Sequence, residues 1–119
     1  MIGDRDPGLD VLLDLDGVTF ATAGAYWVSF VVKRVESSPE RPHGLSYSLT
    51  LHDETGERVV GFDNAHAAPS KKGRSKGVMQ DHRHRLRTIR PYAYSDAATL
   101  LADFWADVAA LLAERGMLP

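Results

Sequence analysis

Two histidines alternate with arginines in the stretch DHRHRLRTIR, which spans residues 81–90. If this stretch is extended, His82 and His84 project to one face, and Arg83 and Arg85 project to the other. The histidines would then stand about 7 Å apart along the strand. One imidazole could take the proton of a ribose 2′-hydroxyl and the other could protonate the departing 5′-oxygen, since histidine titrates near neutrality. The pattern could therefore support cleavage of RNA without a metal, with the arginines clamping the phosphate oxygens. The alternative is a solvent-exposed edge strand whose arginines keep the edge from pairing.

The bases around this stretch form a local basic block on an acidic chain. Residues 70–90 carry a charge of +7, whereas the rest of the chain carries −9. Such asymmetry is typical of a site that binds a polyanion, although a solvated basic loop would have the same composition. The predicted phosphate-binding residues are Arg83, Arg85, Arg87, Arg90, Lys71, Lys72, Arg74 and Lys76.

Two aromatic residues follow the basic block. Tyr92 and Tyr94 could stack on unpaired bases of a nucleic acid. Packing in the core against the C-terminal helix is the alternative for both rings. Trp27 and Trp105 are most simply interpreted as residues of the core or its margin.

A second polar cluster, FDNAH, stands where a strand passes into the basic loop. Asp63 could orient one imidazole by fixing its tautomer. Asp63, His66, His82 and His84 could instead bind a divalent metal, although their spacing matches no metal signature. As a third possibility, Asp63 and Asn64 could form hydrogen bonds to the backbone in a turn. The first interpretation requires neither a metal nor another cofactor.

The composition favours one domain over residues 1–119. The chain has no cysteine, which excludes a disulfide scaffold, a thiolate zinc site and a cysteine nucleophile. No apolar run approaches the roughly 20 residues that cross a bilayer. The acidic N-terminal stretch lacks the basic start and apolar centre of a signal peptide, so we expect a cytoplasmic protein that does not contact membranes.

Alternation of apolar and polar residues predicts an antiparallel sheet. Residues 9–20, 25–36, 45–53, 57–64 and a short edge strand at 82–87 are the predicted strands. Residues 65–80 lose this periodicity and are predicted to form a flexible basic loop. From residue 97 the apolar spacing becomes helical, with Ser95 or Asp96 as the N-cap and Gly116 as the end. The predicted fold is therefore α+β, with a curved antiparallel sheet of four to five strands packed on one long C-terminal helix.

Several of these pieces, in this order, resemble the TumE family of bacterial toxins. They are the hairpin YSLTLHDETGERVVGFDN, then DHRHR, PYAY and LLADFWADV, which together cover residues 45–108. The resemblance implies a small growth-inhibiting toxin neutralised by an antitoxin, commonly a helix-turn-helix DNA-binding protein.

The leading hypothesis combines two inferences. The resemblance implies that the protein is a toxin, and the residue pattern suggests the ribonuclease mechanism. The hypothesis is a metal-independent endoribonuclease in which His82 and His84 are the acid–base pair and Asp63 orients one of them. A binding module that titrates nucleic acid or protein without catalysis is one alternative. A metal-dependent nuclease is the other.

Overall fold

The structure, a computed structural model, describes residues 6–39, 41–64 and 81–117. It confirms an α+β fold in which six antiparallel strands form one sheet in chain order. The elements are α1 (Leu9–Asp14), β1 (Thr19–Ala21), β2 (Trp27–Arg34), β3 (Leu45–His52), β4 (Arg58–Asp63), β5 (His82–Arg85), β6 (Thr88–Pro91) and α2 (Ala97–Glu114). The sheet is open and uncurled rather than curved, and it has more strands than the sequence predicts.

Helix α2 covers one face of the sheet and makes the core with it. Its buried stripe follows the predicted spacing, and Phe104 lies 5.6 Å from Phe30 of β2 and 6.2 Å from Phe62 of β4 between ring centroids. Asp96 is the N-cap and accepts a hydrogen bond from the Thr99 backbone N–H. Burying these rings lowers the free energy of the folded chain, and this gain fixes which face of each strand turns toward α2.

The prediction of a strand over residues 9–20 is wrong for the first half of this segment, which is the short helix α1, and only its last two residues belong to strand β1. Gly8 begins the helix with a positive φ of 80°, and its backbone closely approaches Ala98 of α2. Leu9, Leu12 and Leu13 lie at helical spacing, and Leu12 is fully buried in the core. A short apolar run fits a strand and a helix equally well by pattern, and here packing against α2 decides.

The stretch predicted as an edge strand is an interior strand followed by a hairpin. Strand β5 pairs with β4 on one side and β6 on the other. The chain reverses through Leu86, which has a φ of 54° without being glycine or asparagine. The edge is β6, and Pro91 removes one backbone donor from it.

The opposite side of the sheet, called here the open face, carries small polar side chains. Cα register places Ser29, Thr50, Gly61 and His84 in one row across β2 to β5. Within the described ranges both helices pack on the other side. In the same ranges no helix is long and apolar enough to cross a membrane.

Candidate functional site

The two imidazoles of DHRHR lie side by side on the open face. Strand alternation places His82 and His84 there, and their ring centroids are 6.3 Å apart. The side chain of His82 is 32% exposed and that of His84 is 12% exposed, so one ring faces solvent more than the other. The spacing agrees with the strand geometry expected from the sequence and spans the width of one phosphodiester.

Asp63 lies next to both rings. It is the register partner of His82, yet its shorter contact is diagonal, with 2.9 Å between its Oδ2 and Nε2 of His84. Nδ1 of His82 is 3.9 Å from Oδ1 of the same carboxylate, which is beyond hydrogen-bond length. The carboxylate therefore orients His84 directly and His82 only through the electric field.

The second nitrogen of His84 is occupied by an arginine that the sequence analysis did not single out. Nη2 of Arg58 lies 3.1 Å from Nδ1 of His84. A guanidinium only donates, so Nδ1 must accept and the ring proton must sit on Nε2, where it is donated to Asp63. His84 is thus held as a neutral ring with a defined tautomer.

The electrostatics agree with that tautomer. Burial lowers the pKa of His84 first, and the positive charge of Arg58 lowers it further, against an opposing effect from the Asp63 carboxylate. The ring consequently stays uncharged at neutral pH.

A β-bulge brings Arg58 to the open face. The register shifts between Leu51 and His52, so that Arg58 pairs with His52 while Val60 pairs with Leu51. Both Val59 and Val60 are buried as a result. Without the extra residue, simple alternation would send the Arg58 side chain to the helix side, which is why the sequence pattern did not reveal it.

Glycine at position 61 gives the Arg58 side chain its path. A Cβ on Gly61 would lie 3.1 Å from Cδ of Arg58 and 3.7 Å from Cβ of His84. The guanidinium crosses β4 above this residue to reach His84. Gly61 is therefore a positioning residue for Arg58.

The other two arginines of the motif lie on the far side of the sheet from the histidines. Arg83 donates through Nε and Nη2 to the two carboxylate oxygens of Asp107, at 2.9 and 2.8 Å. Arg85 donates to Glu114, also on α2. The structure does not bring these two arginines to the imidazoles, because the alternation that unites the histidines separates the arginines from them.

The remaining predicted contacts are dispersed. Arg87 lies in the β5–β6 turn and Arg90 on β6 beside Arg83, both exposed. The hydroxyl of the buried Tyr92 donates to Asp103, and the hydroxyl of the partly buried Tyr94 donates to Asp6. These contacts fit the packing interpretation of the two tyrosines and leave neither hydroxyl directed at the histidines.

Asn64 and Asp81 support the site from beneath. The amide of Asn64 accepts from the Tyr47 backbone N–H at 3.0 Å and donates to the Leu45 carbonyl at 2.7 Å, which ties the end of β4 to β3. Asp81 is buried and accepts from the Tyr47 hydroxyl at 2.6 Å. Burial raises the pKa of Asp81, partly offset by that hydrogen bond.

Some predicted residues lie outside the described part of the chain. They are His66, Lys71, Lys72, Arg74 and Lys76, together with the predicted loop at 65–80. Among the residues that the structure describes, no group of three or more histidine, cysteine or acidic side chains could hold a metal ion.

Comparison with known proteins identifies the family of the chain. No curated protein and no solved structure matches the chain significantly. The family model described as Toxin TumE matches residues 15–112, which include every strand, the imidazole pair, Asp63 and most of α2. The chain therefore belongs to the TumE toxin family.

Proposed function

We propose that this toxin cleaves RNA by metal-independent transesterification on the open face. The observation that supports it is the placement of His84 between Asp63 and Arg58, with His82 6.3 Å away on the same face. One ring is kept neutral and oriented, and the other is more exposed to solvent. This is the asymmetry that a base and an acid acting on one linkage require.

Arg58 takes the phosphate-binding role in this proposal. Its side chain is 41% exposed, and among the described residues its guanidinium contacts an imidazole nitrogen of His84 and, at 3.9 Å, the Asp63 carboxylate. A phosphate oxygen is a stronger acceptor than the imidazole nitrogen, since both partners are then charged. Binding of the scissile phosphate would draw Arg58 from His84 and expose Nδ1 as the base.

The proton transfers of this reaction need only groups of the protein and of the RNA. Nδ1 of His84 takes the 2′-hydroxyl proton, and the 2′-oxygen forms a bond to phosphorus. The bond from phosphorus to the 5′-oxygen breaks, and that oxygen takes a proton from His82. The products are a 2′,3′-cyclic phosphate and a free 5′-hydroxyl, while Arg58 stabilises the charge on the non-bridging oxygens.

The family suggests an antitoxin partner in general. We propose that this antitoxin is a helix-turn-helix protein encoded nearby, and that the toxin acts in the cytoplasm where its RNA substrate is found. The basic residues Lys71, Lys72, Arg74 and Lys76 are proposed to add phosphate affinity, which would fall with added salt.

Cleavage of RNA in excess chelator tests the proposal. The wild-type protein should release fragments ending in a cyclic phosphate, and His82→Ala and His84→Ala should each lose about 100- to 10,000-fold in rate. His43→Ala is the matched control, because this exposed histidine lies in the loop before β3, where its ring contacts that of Tyr94. Undiminished cleavage by either variant, or cleavage that stops on chelation, would contradict the proposal. Absence of cleavage with retained RNA binding would favour a binding module instead.

A further inference from the structure

An aromatic stack stands on the open face at some distance from the imidazole pair. The rings of Trp27 on β2 and His52 on β3 are 4.1 Å apart between centroids and only 10° from parallel. Trp27 is partly exposed. Neither ring belongs to the hydrophobic core, which lies on the opposite side of the sheet.

His52 is a fixed support for the indole. Its Nδ1 lies 3.1 Å from the Gly56 carbonyl and its Nε2 lies 2.9 Å from the Thr50 hydroxyl. A carbonyl only accepts, so Nδ1 of His52 carries a proton and donates it to Gly56. With both nitrogens bound, the ring cannot turn freely, and Trp27 rests on a rigid surface.

The other side of Trp27 faces a small neighbour. Its register partner on β1 is Ala21, whose methyl group leaves space beside the indole. The indole therefore has one ring face supported by histidine and the other beside an alanine. That second position is where a planar group of the size of a nucleic-acid base would stack on the indole.

The stack adjoins the proposed phosphate site. Trp27, His52 and Arg58 are register partners on three successive strands, so Trp27 is about 10 Å from the Arg58 backbone. The neighbouring row toward His84 consists of Ser29, Thr50 and Gly61, whose own side chains are small, and the Arg58 side chain lies above Gly61. A phosphate at Arg58 and a base at Trp27 would belong to nearby nucleotides.

We infer that Trp27 is a base-stacking subsite and that the substrate is single-stranded RNA. The inference rests on the proposed function, since it places the rest of the substrate beyond the scissile phosphate. Only an unpaired base can leave its own stack and lie on an indole; in a duplex the bases are covered by one another. Tyr92 is buried against Phe62, and the Tyr94 ring packs against His43 and Tyr47, so neither ring offers such a surface.

The test uses an unstructured RNA 12-mer and the same sequence annealed to its complement. Binding is measured by fluorescence anisotropy in a His82→Ala background, so that cleavage does not consume the probe. Trp27→Leu should weaken binding of the single strand by roughly 10- to 100-fold. Trp105→Phe is the matched control, because this ring stacks on Phe20 on the helix side.

Tryptophan fluorescence supplies a second measurement that does not depend on a destabilised variant. The single strand should quench emission in Trp105→Phe, where Trp27 is the remaining tryptophan, and should leave emission unchanged in Trp27→Phe. Wild-type cleavage together with unaltered binding by Trp27→Leu would overturn the subsite and leave the proposed function standing. Equal affinity for the duplex would also overturn it. Failure of the wild type both to bind and to cleave RNA would refute the proposed function itself.

Discussion

Two single substitutions, of arginines on opposite faces of the sheet, distinguish an effect on catalysis from an effect on stability. Arg58→Gln removes the cation beside His84 on the open face. Arg83→Gln removes a cation of equal charge on the helix side, where it pairs with Asp107. Both changes lower the net charge by one unit, so the loss of bulk attraction to RNA is the same and only position differs.

The structure sets the size of each effect. A hydrogen bond from a guanidinium to a charged oxygen contributes about 1.5–3 kcal/mol, so Arg58→Gln should lower kcat/KM by about 10- to 100-fold. Because Arg58 is exposed, its loss should change the free energy of unfolding by less than about 1 kcal/mol.

Arg83 should behave in the opposite way. It makes two hydrogen bonds to Asp107 and lies 5.1 Å from the Phe62 ring centroid, but it is 39% exposed and therefore partly screened. We expect Arg83→Gln to lose about 1–2 kcal/mol of stability, which lowers Tm by about 4–8 °C. Its kcat/KM, measured well below Tm, should stay within about threefold of wild type.

Kinetics on one RNA substrate and a thermal melt of each variant decide the matter. If Arg83→Gln loses cleavage while Arg58→Gln retains it, the phosphate lies on the helix side and the proposed assignment of the open face is wrong. Equal losses in both variants would point to general electrostatic attraction.

Two further predictions concern the same centre. Gly61→Ala should lower kcat/KM, as Arg58→Gln does, and leave Tm nearly unchanged, because its Cβ would displace the Arg58 side chain. Ser48→Ala on the same face is the control. Full activity of Gly61→Ala would disprove the positioning role. The lowered pKa of His84 predicts that the acid limb of kcat/KM against pH lies below 6.5, the ordinary value. The free energy of unfolding should also fall as pH drops below 6.5, since the unfolded chain then binds a proton that the folded chain does not. This fall should be smaller in His84→Asn. An NMR titration that gives His84 a pKa above 6.5 would refute both predictions.

The sequence predicted well wherever one local pattern determined the structure. The alternation of residues 45–52 and the helical spacing after Asp96 each have one physical solution, and both elements form as expected. The same alternation placed His82 and His84 on one face. These features depend on neighbours in the chain, which a sequence pattern records.

The missed features depend on residues distant in the chain or on irregular backbone. The bulge beside His52 moves the Arg58 side chain to the open face of the sheet, and no residue type in the sequence predicts this bulge. The turn at Leu86 lacks the glycine or asparagine that usually marks a tight hairpin, so β6 was not predicted. The pairing of Arg83 with Asp107 spans 24 positions and becomes evident only when α2 is packed on the sheet.

The interior position of β5 limits how this toxin can be silenced. Its backbone is bonded to a strand on each side, so freeing the imidazoles by local unravelling would break two ladders at once. Under the proposed function, an inhibitor would act by covering the exposed surface around the imidazoles or by drawing the Arg58 guanidinium away, and neither action requires β5 to leave the sheet.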